Sequence, residues 1–199
     1  MRREQLTELH YIAHVDNVES ICSNGVLSHR RANRLNHTDI SLAEVQDRRK
    51  GKRVPGGLLL HDYANLYVTA RNPMLSKRIF DGWLEELCVM SVSAEVLERD
   101  DVVVTDRNAA KFGCSFKPVA EGIEAIDFEL LTRPFWTDGD TLEQERCRNA
   151  KFTEVLVPHE VSPDHLRGIY VGTAAALRAM ASRNLPLGAT RNADLFFNS

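Results

Sequence analysis

Short apolar runs rich in β-branched residues alternate along this chain with stretches of mixed polarity, and the spacing of the apolar positions predicts the elements. Leu9 to His14 reads as a strand. Asp16 followed by Glu19 predicts a capping box for a helix that carries Val18, Ile21 and Cys22 on one face and stops at Gly25. Leu66 to Thr69, Leu87 to Val92, Val102 to Thr105 and Gly168 to Val171 read as further strands. Asn72 before Pro73 predicts a helix start, with a capping side chain and proline at the first helical position. Glu121 to Leu131 and Thr141 to Lys151 have helical or loop character, and Thr173 to Ser182 reads as a helix. Phe152 to Val157 is a short apolar strand interrupted only by Thr153 and Glu154. Uneven helices and loops between short strands argue for an α+β fold over the regular alternation of a doubly wound sheet. One domain is expected over residues 1–199, with a core over about 9–182 and a polar, poorly packed tail over 183–199.

Between Ser28 and Gly57 the apolar pattern thins, and Arg30, Arg31, Arg34, Arg48, Arg49, Lys50, Lys52 and Arg53 accumulate. Ser41 with Glu44 is expected to cap a short helix running into Arg48 and Arg49, and Val54-Pro55-Gly56-Gly57 to follow it as a loop. This local charge changes what composition alone says. At 199 residues, 43% hydrophobic and 27% charged, the chain fits a globular domain and excludes collagen-like, low-complexity and disordered classes. Its net charge of -3 counts against gripping nucleic acid by bulk cationic attraction. A nucleic-acid partner would have to be met by the basic segment. No apolar run approaches the ~20 residues of a membrane-spanning helix, and the first residues carry no secretory pattern. Cys22, Cys88, Cys114 and Cys147 form no paired spacing, so free thiols in a reducing cytoplasm, and no metal site, are expected.

Three features carry candidate chemistry. Glu154 shares a strand face with Phe152 and Leu156, where a carboxylate needs a partner because desolvating a lone charge is expensive. It is either a salt-bridged edge residue or a single catalytic carboxylate in a pocket. The run Gln46-Asp47-Arg48-Arg49-Lys50 is either a solvated helix face or the source of an arginine for a diphosphate or a nucleic-acid backbone. His61-Asp62-Tyr63 precedes a strand, but no GxSxG elbow accompanies it, and neither GxGxxG nor a P-loop is present. Trp83, Phe135 and Trp136 are core residues or stacking platforms for bases. His10 and His14 flank the first strand, where a histidine is structural or a ligand contact.

Taken in order, Tyr11-Ile12-Ala13-His14-Val15-Asp16-Asn17, Asn24-Gly25-Val26-Leu27-Ser28, Val45-Gln46-Asp47-Arg48-Arg49, Leu60-His61-Asp62-Tyr63-Ala64-Asn65-Leu66-Tyr67, Ala70-Arg71-Asn72-Pro73-Met74-Leu75, Val104-Thr105-Asp106-Arg107-Asn108-Ala109 and Phe152-Thr153-Glu154-Val155-Leu156-Val157 resemble the DarT family of DNA ADP-ribosyltransferase toxins. The resemblance runs over roughly residues 9 to 172. It implies an ADP-ribosyltransferase fold, a split antiparallel sheet flanked by helices, with NAD in the cleft as co-substrate. It further implies transfer of ADP-ribose to a base of single-stranded DNA, a toxin role, and a macrodomain antitoxin that removes the mark.

By the same resemblance Glu154 is similar to the family's catalytic glutamate, and Arg49, or its neighbour Arg48, to the arginine that supports NAD and catalysis. Tyr11, Ala13, His14, Gly25, Arg48, His61, Tyr67 and Arg71 are implied contacts to NAD. Arg53, Asn108 and Trp136 are implied contacts to DNA. Many relatives carry histidine and threonine where Tyr11 and Ala13 stand here. Asn72 and Ala64-Asn65-Leu66 resemble the guanine-modifying branch more than the thymine-modifying one. RNA, a free nucleoside or another small molecule remains the alternative acceptor, and a silent module binding NAD or nucleic acid the alternative to an enzyme. The chemistry asks for little machinery: a carboxylate can orient the ribose hydroxyls and stabilise oxocarbenium-like charge, and nicotinamide leaves as a neutral group.

Overall fold

A computed structural model describes residues 3–197 of the chain. The elements run β1 (Glu8–His14), α1 (Val18–Asn24), β2 (Val26–Leu27), α2 (His29–Ala32), α3 (Ala43–Lys50), β3 (Tyr63–Tyr67), α4 (Pro73–Phe80), β4 (Leu87–Ser93), β5 (Val103–Thr105) and β6 (Phe116–Pro118). They continue as α5 (Val119–Glu124), α6 (Phe128–Thr132), α7 (Thr141–Lys151), β7 (Glu154–Pro158), β8 (Glu160–Val161), β9 (Leu166–Val171), α8 (Ala174–Ala181) and β10 (Ala189–Arg191). Among the described residues eight strands form one sheet in the order β10-β9-β4-β1-β3-β7-β5-β6. All neighbours are antiparallel except β10 on β9.

The sheet is split down its middle. β1 pairs with β4 along its whole length, from Glu8↔Ser93 to His14↔Leu87, and β3 pairs with β7 from Tyr63↔Pro158 to Tyr67↔Glu154. Between β1 and β3 the register holds at one pair, His10↔Tyr67, and beyond it the two halves part. Each strand alternates its side chains between two faces, so parting strands expose residues of both faces to the gap. This explains how Tyr11 and Asn65, on different faces, can line one cleft.

Packing on either side fixes the halves. One face buries Leu9, Ala13, Leu66, Met90, Val155 and Ile169 beneath α1, α5 and α8, which contribute Val18, Ile21, Ile123, Ala176 and Met180. The other buries Ile12, Tyr67, Leu87 and Val89 against Leu75 of α4 and Phe196. At about 25 cal/mol per Å² of apolar surface removed from water, these two layers are the main source of stability.

Several local expectations change. Asp16 does not cap α1: His14 Nδ1 accepts from the Asp16 amide at 3.1 Å, while the Asp16 carboxylate pairs with Arg183 at 2.8 Å. Asn17 stands at the N-cap but makes no capping bond, because its side chain pairs with the Thr38 backbone at 2.8 and 2.9 Å, although the helix ends at Gly25 as expected. Ser41 does not cap α3, because its hydroxyl donates to Asp39 at 3.0 Å and Leu42 occupies the cap position. The Asn72 cap does form, with Oδ1 accepting from Met74 and Leu75 amides at 3.0 and 3.1 Å. Residues 121–131 divide into α5 and α6, and the strand read from Phe152 begins at Glu154.

Residues 184–197 do not form the loosely packed tail expected after Arg183. They add β10 to the sheet edge and place Phe196, fully buried, in the second core layer. The mixed polarity of this segment hid the contribution, because neither the three residues of β10 nor a single phenylalanine shows periodicity without the distant partner it packs on.

Candidate active site

The cleft between the halves of the sheet encloses about 360 Å³. α3 supplies one wall. Val45, Gln46 and Arg49 recur at helical spacing and face the cleft, leaving Arg48 exposed to solvent on the other side. Helical phase thus separates two adjacent arginines that the sequence left as alternatives.

Arg49 is nearly buried, and its Nη1 donates to both oxygens of Glu154, at 3.2 and 3.0 Å. Glu154 itself is wholly buried at the start of β7. Its position is fixed from three directions. The Ala109 amide donates to Oε1 at 3.3 Å, the Glu154 amide donates to Thr105 Oγ1 at 3.0 Å, and the backbone is paired with Tyr67. Arg49 lines the cleft and the carboxylate lies beneath it, so anything entering meets the guanidinium first. A buried ion pair of this kind is weak evidence for stability, since desolvation offsets much of the attraction. A carboxylate held in a cleft by such a pair is the arrangement expected of a functional site.

Aromatic and polar side chains complete the walls. Tyr11, Ala13, Tyr67 and Asn108 line the cleft, together with Phe152 and Asn65. Burial pushes the Tyr11 phenol up to about 12, and burial, with the Glu154 charge adding to it, raises Tyr67 further above its ordinary value. Both remain neutral and available for stacking or donation.

His61 sits one layer behind the wall, 3.0 Å from Gln46 and with its ring 4.3 Å from that of His29, which does line the cleft. Burial lowers both histidines below the ordinary 6.5, and for His61 the His29 charge adds to the effect. The unfolded chain keeps the ordinary value and takes up protons first as pH falls. The stability these two contribute is therefore complete above about 6.5 and declines as pH drops through that value toward the folded ones. Thermal melts between roughly pH 8 and 5 should show this decline, shallower in His29→Gln; a slope identical in that variant would refute the assignment.

Besides His61, six of the expected contacts lie outside the cleft lining. His14 is turned to the Asp16 amide and meets Trp83 edge-on at 5.8 Å. Gly25 closes α1 at φ 79°, where an added Cβ would stand 2.0 Å from the Val161 carbonyl oxygen; its need for glycine is structural. Arg48 and Arg53 are exposed outside the cleft, with Arg53 donating to the Gly57 carbonyl at 2.9 Å. Arg71 lies over the rings of Phe135 and Phe197 at 5.4 and 4.3 Å and donates to the Pro134 and Asp194 carbonyls. Trp136 meets Phe197 edge-on at 5.9 Å. His10 lies at the pair that joins the halves, with Nε2 3.3 Å from Glu8, whose carboxyl that contact holds near 2. Sequence reading passed over His29, Asp39 and Arg148, which line the cleft, and Thr105, which orients Glu154. His29, Asp39 and Thr105, isolated polar residues in a loop and short elements, gave no signal, and Arg148 is one charge among many along α7.

Residues 10–183 match the family model described as "ssDNA thymidine ADP-ribosyltransferase, DarT". The chain belongs to the DarT family. Among DarT relatives, a DNA ADP-ribosyl transferase-DNA ADP-ribosyl glycohydrolase fusion protein of Thermosipho africanus is 32% identical over 192 residues, which are 90% of this chain and 47% of the fusion. A DNA ADP-ribosyl transferase of Thermus sp. is 27% identical over 149 residues, 70% of this chain and 71% of the relative. The solved Thermosipho africanus DarTG in complex with ADP-ribose superposes with a TM-score of 0.82 at 28% identity, over 96% of this chain and 51% of that one. Thermus sp. 2.9 DarT in complex with ADP-ribosylated ssDNA has a TM-score of 0.80 at 23% identity, over 96% of this chain and 97% of that one, and so shares the DarT fold. The chain spans about half the length of the Thermosipho DarTG protein. The split antiparallel sheet expected from the resemblance is the observed architecture.

Proposed function

We propose that this chain is an NAD-dependent ADP-ribosyltransferase that modifies a base in single-stranded DNA. The observation that carries the reading is the Arg49–Glu154 pair at the floor of the cleft. The residues present suit NAD: a cleft of about 360 Å³ falls within the usual range for small-molecule sites, Arg49 offers a cation to the diphosphate, and Tyr11, Tyr67 and Phe152 offer aromatic surface to its rings. Moving the guanidinium from Glu154 onto the diphosphate uncovers the carboxylate. Glu154 then accepts hydrogen bonds from ribose hydroxyls and stabilises the positive charge that develops as nicotinamide departs. The cleft holds the acceptor base against that carbon, which supplies the proximity a weak nucleophile needs. No metal enters the scheme.

The proposed acceptor is guanine, on the resemblance of Ala64-Asn65-Leu66 to the guanine-modifying branch; Asn65 lines the cleft. Asn72, which shares that resemblance, does not reach the cleft. It is fully buried, its oxygen caps α4 and its nitrogen donates to Thr69 at 3.0 Å, so it is spent within the fold. Thymine is the alternative that the family description names. The biological reading is a cytoplasmic toxin opposed by a macrodomain partner that removes ADP-ribose; the Thermosipho relative joins a transferase and a glycohydrolase in one chain.

Mass spectrometry after incubation with NAD and single-stranded oligonucleotides tests the reading. The expected result is an ADP-ribose adduct on an oligonucleotide containing guanine and none on one lacking it. An adduct on thymine alone overturns the base. Adducts only on RNA or free nucleosides overturn the acceptor, and absence of nicotinamide release with every acceptor overturns the enzyme.

A further inference from the structure

Loop 106–115 joins β5 to β6 and is fastened at each end and at its tip. Asp106 accepts from the Ser115 amide at 2.9 Å, and the Ala109 amide reaches Glu154. Lys52 Nζ donates to the Lys111 carbonyl at 2.8 Å, while Lys111 Nζ meets Glu145 and Asn149 on α7 at 2.8 and 3.0 Å. On this tethered tip Phe112 is 98% exposed, followed by Gly113 at φ 72°. Single exposed apolar residues are ordinary. This one differs in its surroundings. It stands three residues from the amide that holds Glu154 and four from Asn108, which lines the cleft. Through the Lys52 contact it also adjoins the end of the basic segment, where Lys52 and Arg53 donate to backbone carbonyls instead of carboxylates and keep their charge for a partner.

A rigidly presented aromatic ring beside uncompensated cations is what a single nucleic-acid strand requires, because each base has a face to stack and each linkage a phosphate to neutralise. We propose that Phe112 stacks on a base next to the acceptor in single-stranded DNA, with Lys52 and Arg53 facing the adjoining phosphates. The inference rests on the DNA acceptor proposed above and assigns the surface that holds the strand.

Steady-state transfer to an oligonucleotide and quenching of 2-aminopurine placed beside the acceptor base test it together. Phe112→Ala should raise KM for the oligonucleotide about tenfold and abolish the quenching, and Phe112→Trp should restore both. Phe80, 88% exposed on α4, provides the control: Phe80→Ala should leave both readouts as in the parent protein. An unchanged oligonucleotide KM and unchanged quenching in Phe112→Ala overturn the inference. Failure of the parent protein to modify any DNA overturns the reading beneath it. Quenching lost only in Phe112→Ala would still place the ring on the strand.

Discussion

Glu154→Gln should abolish ADP-ribose transfer, by at least about two to three orders of magnitude, while leaving a folded protein. The geometry separates the two effects. Oε1 already accepts from both Arg49 and the Ala109 amide, so a glutamine oxygen can keep those bonds and lose only the 3.0 Å contact at Oε2. What disappears is the negative charge, and with it the stabilisation of the positive centre formed when nicotinamide leaves. Glu154→Ala is a poorer test, because it strands the Arg49 charge in a nearly buried position, a change that typically costs about 3–5 kcal/mol. Nicotinamide release and oligonucleotide modification, read beside a thermal melt, separate catalysis from folding. A Glu154→Gln protein that transfers at the parent rate would reduce the pair to a structural salt bridge, the other reading its strand position allows.

The glutamate was legible because a charge inside an apolar strand is an anomaly at any distance from its partner. Its arginine was legible only as one of two neighbours, since choosing between Arg48 and Arg49 requires the phase of α3, and α3 has almost no apolar stripe to set that phase. The strands through Leu87, Val104 and Ile169 announced themselves by β-branched runs. Asn72 also did, because a cap beside proline acts within a few residues. Asp16 and Ser41 had the same local chemistry and did otherwise: Arg183 takes the first and Asp39 engages the second. The split between β1 and β3 has no sequence signature of its own. It is a matter of register, and it decides which residues meet in the cleft, which is why Tyr11 and Tyr67 converge there while His14 and Arg71 do not.

Register and distant packing also govern the C-terminal segment, and Phe196→Ala should cost about 3–5 kcal/mol of folding stability. Phe196 has no exposed surface and packs in the layer formed by Ile12, Leu75, Leu87 and Val89. Gly172 also packs close to it, where an added Cβ would stand 2.9 Å from both Phe196 Cβ and Cγ. The cavity left by truncation has rigid strand walls on β1 and β4, so little collapse can recover the loss, whereas Phe196→Leu retains most of the volume and should lose less than half as much. Urea unfolding should therefore show a large drop in midpoint with an unchanged slope for Phe196→Ala. Deleting residues 189–199 should exceed that loss, since it also strips β10 from β9 and exposes the latter's edge. An alanine variant within about 1 kcal/mol of the parent would return the segment to the status of a peripheral tail. Because Ile12 lies between Tyr11 and Ala13 on the cleft wall, a stable Phe196→Leu protein should show its activity change in KM for NAD, the constant that a shifted β1 reaches first.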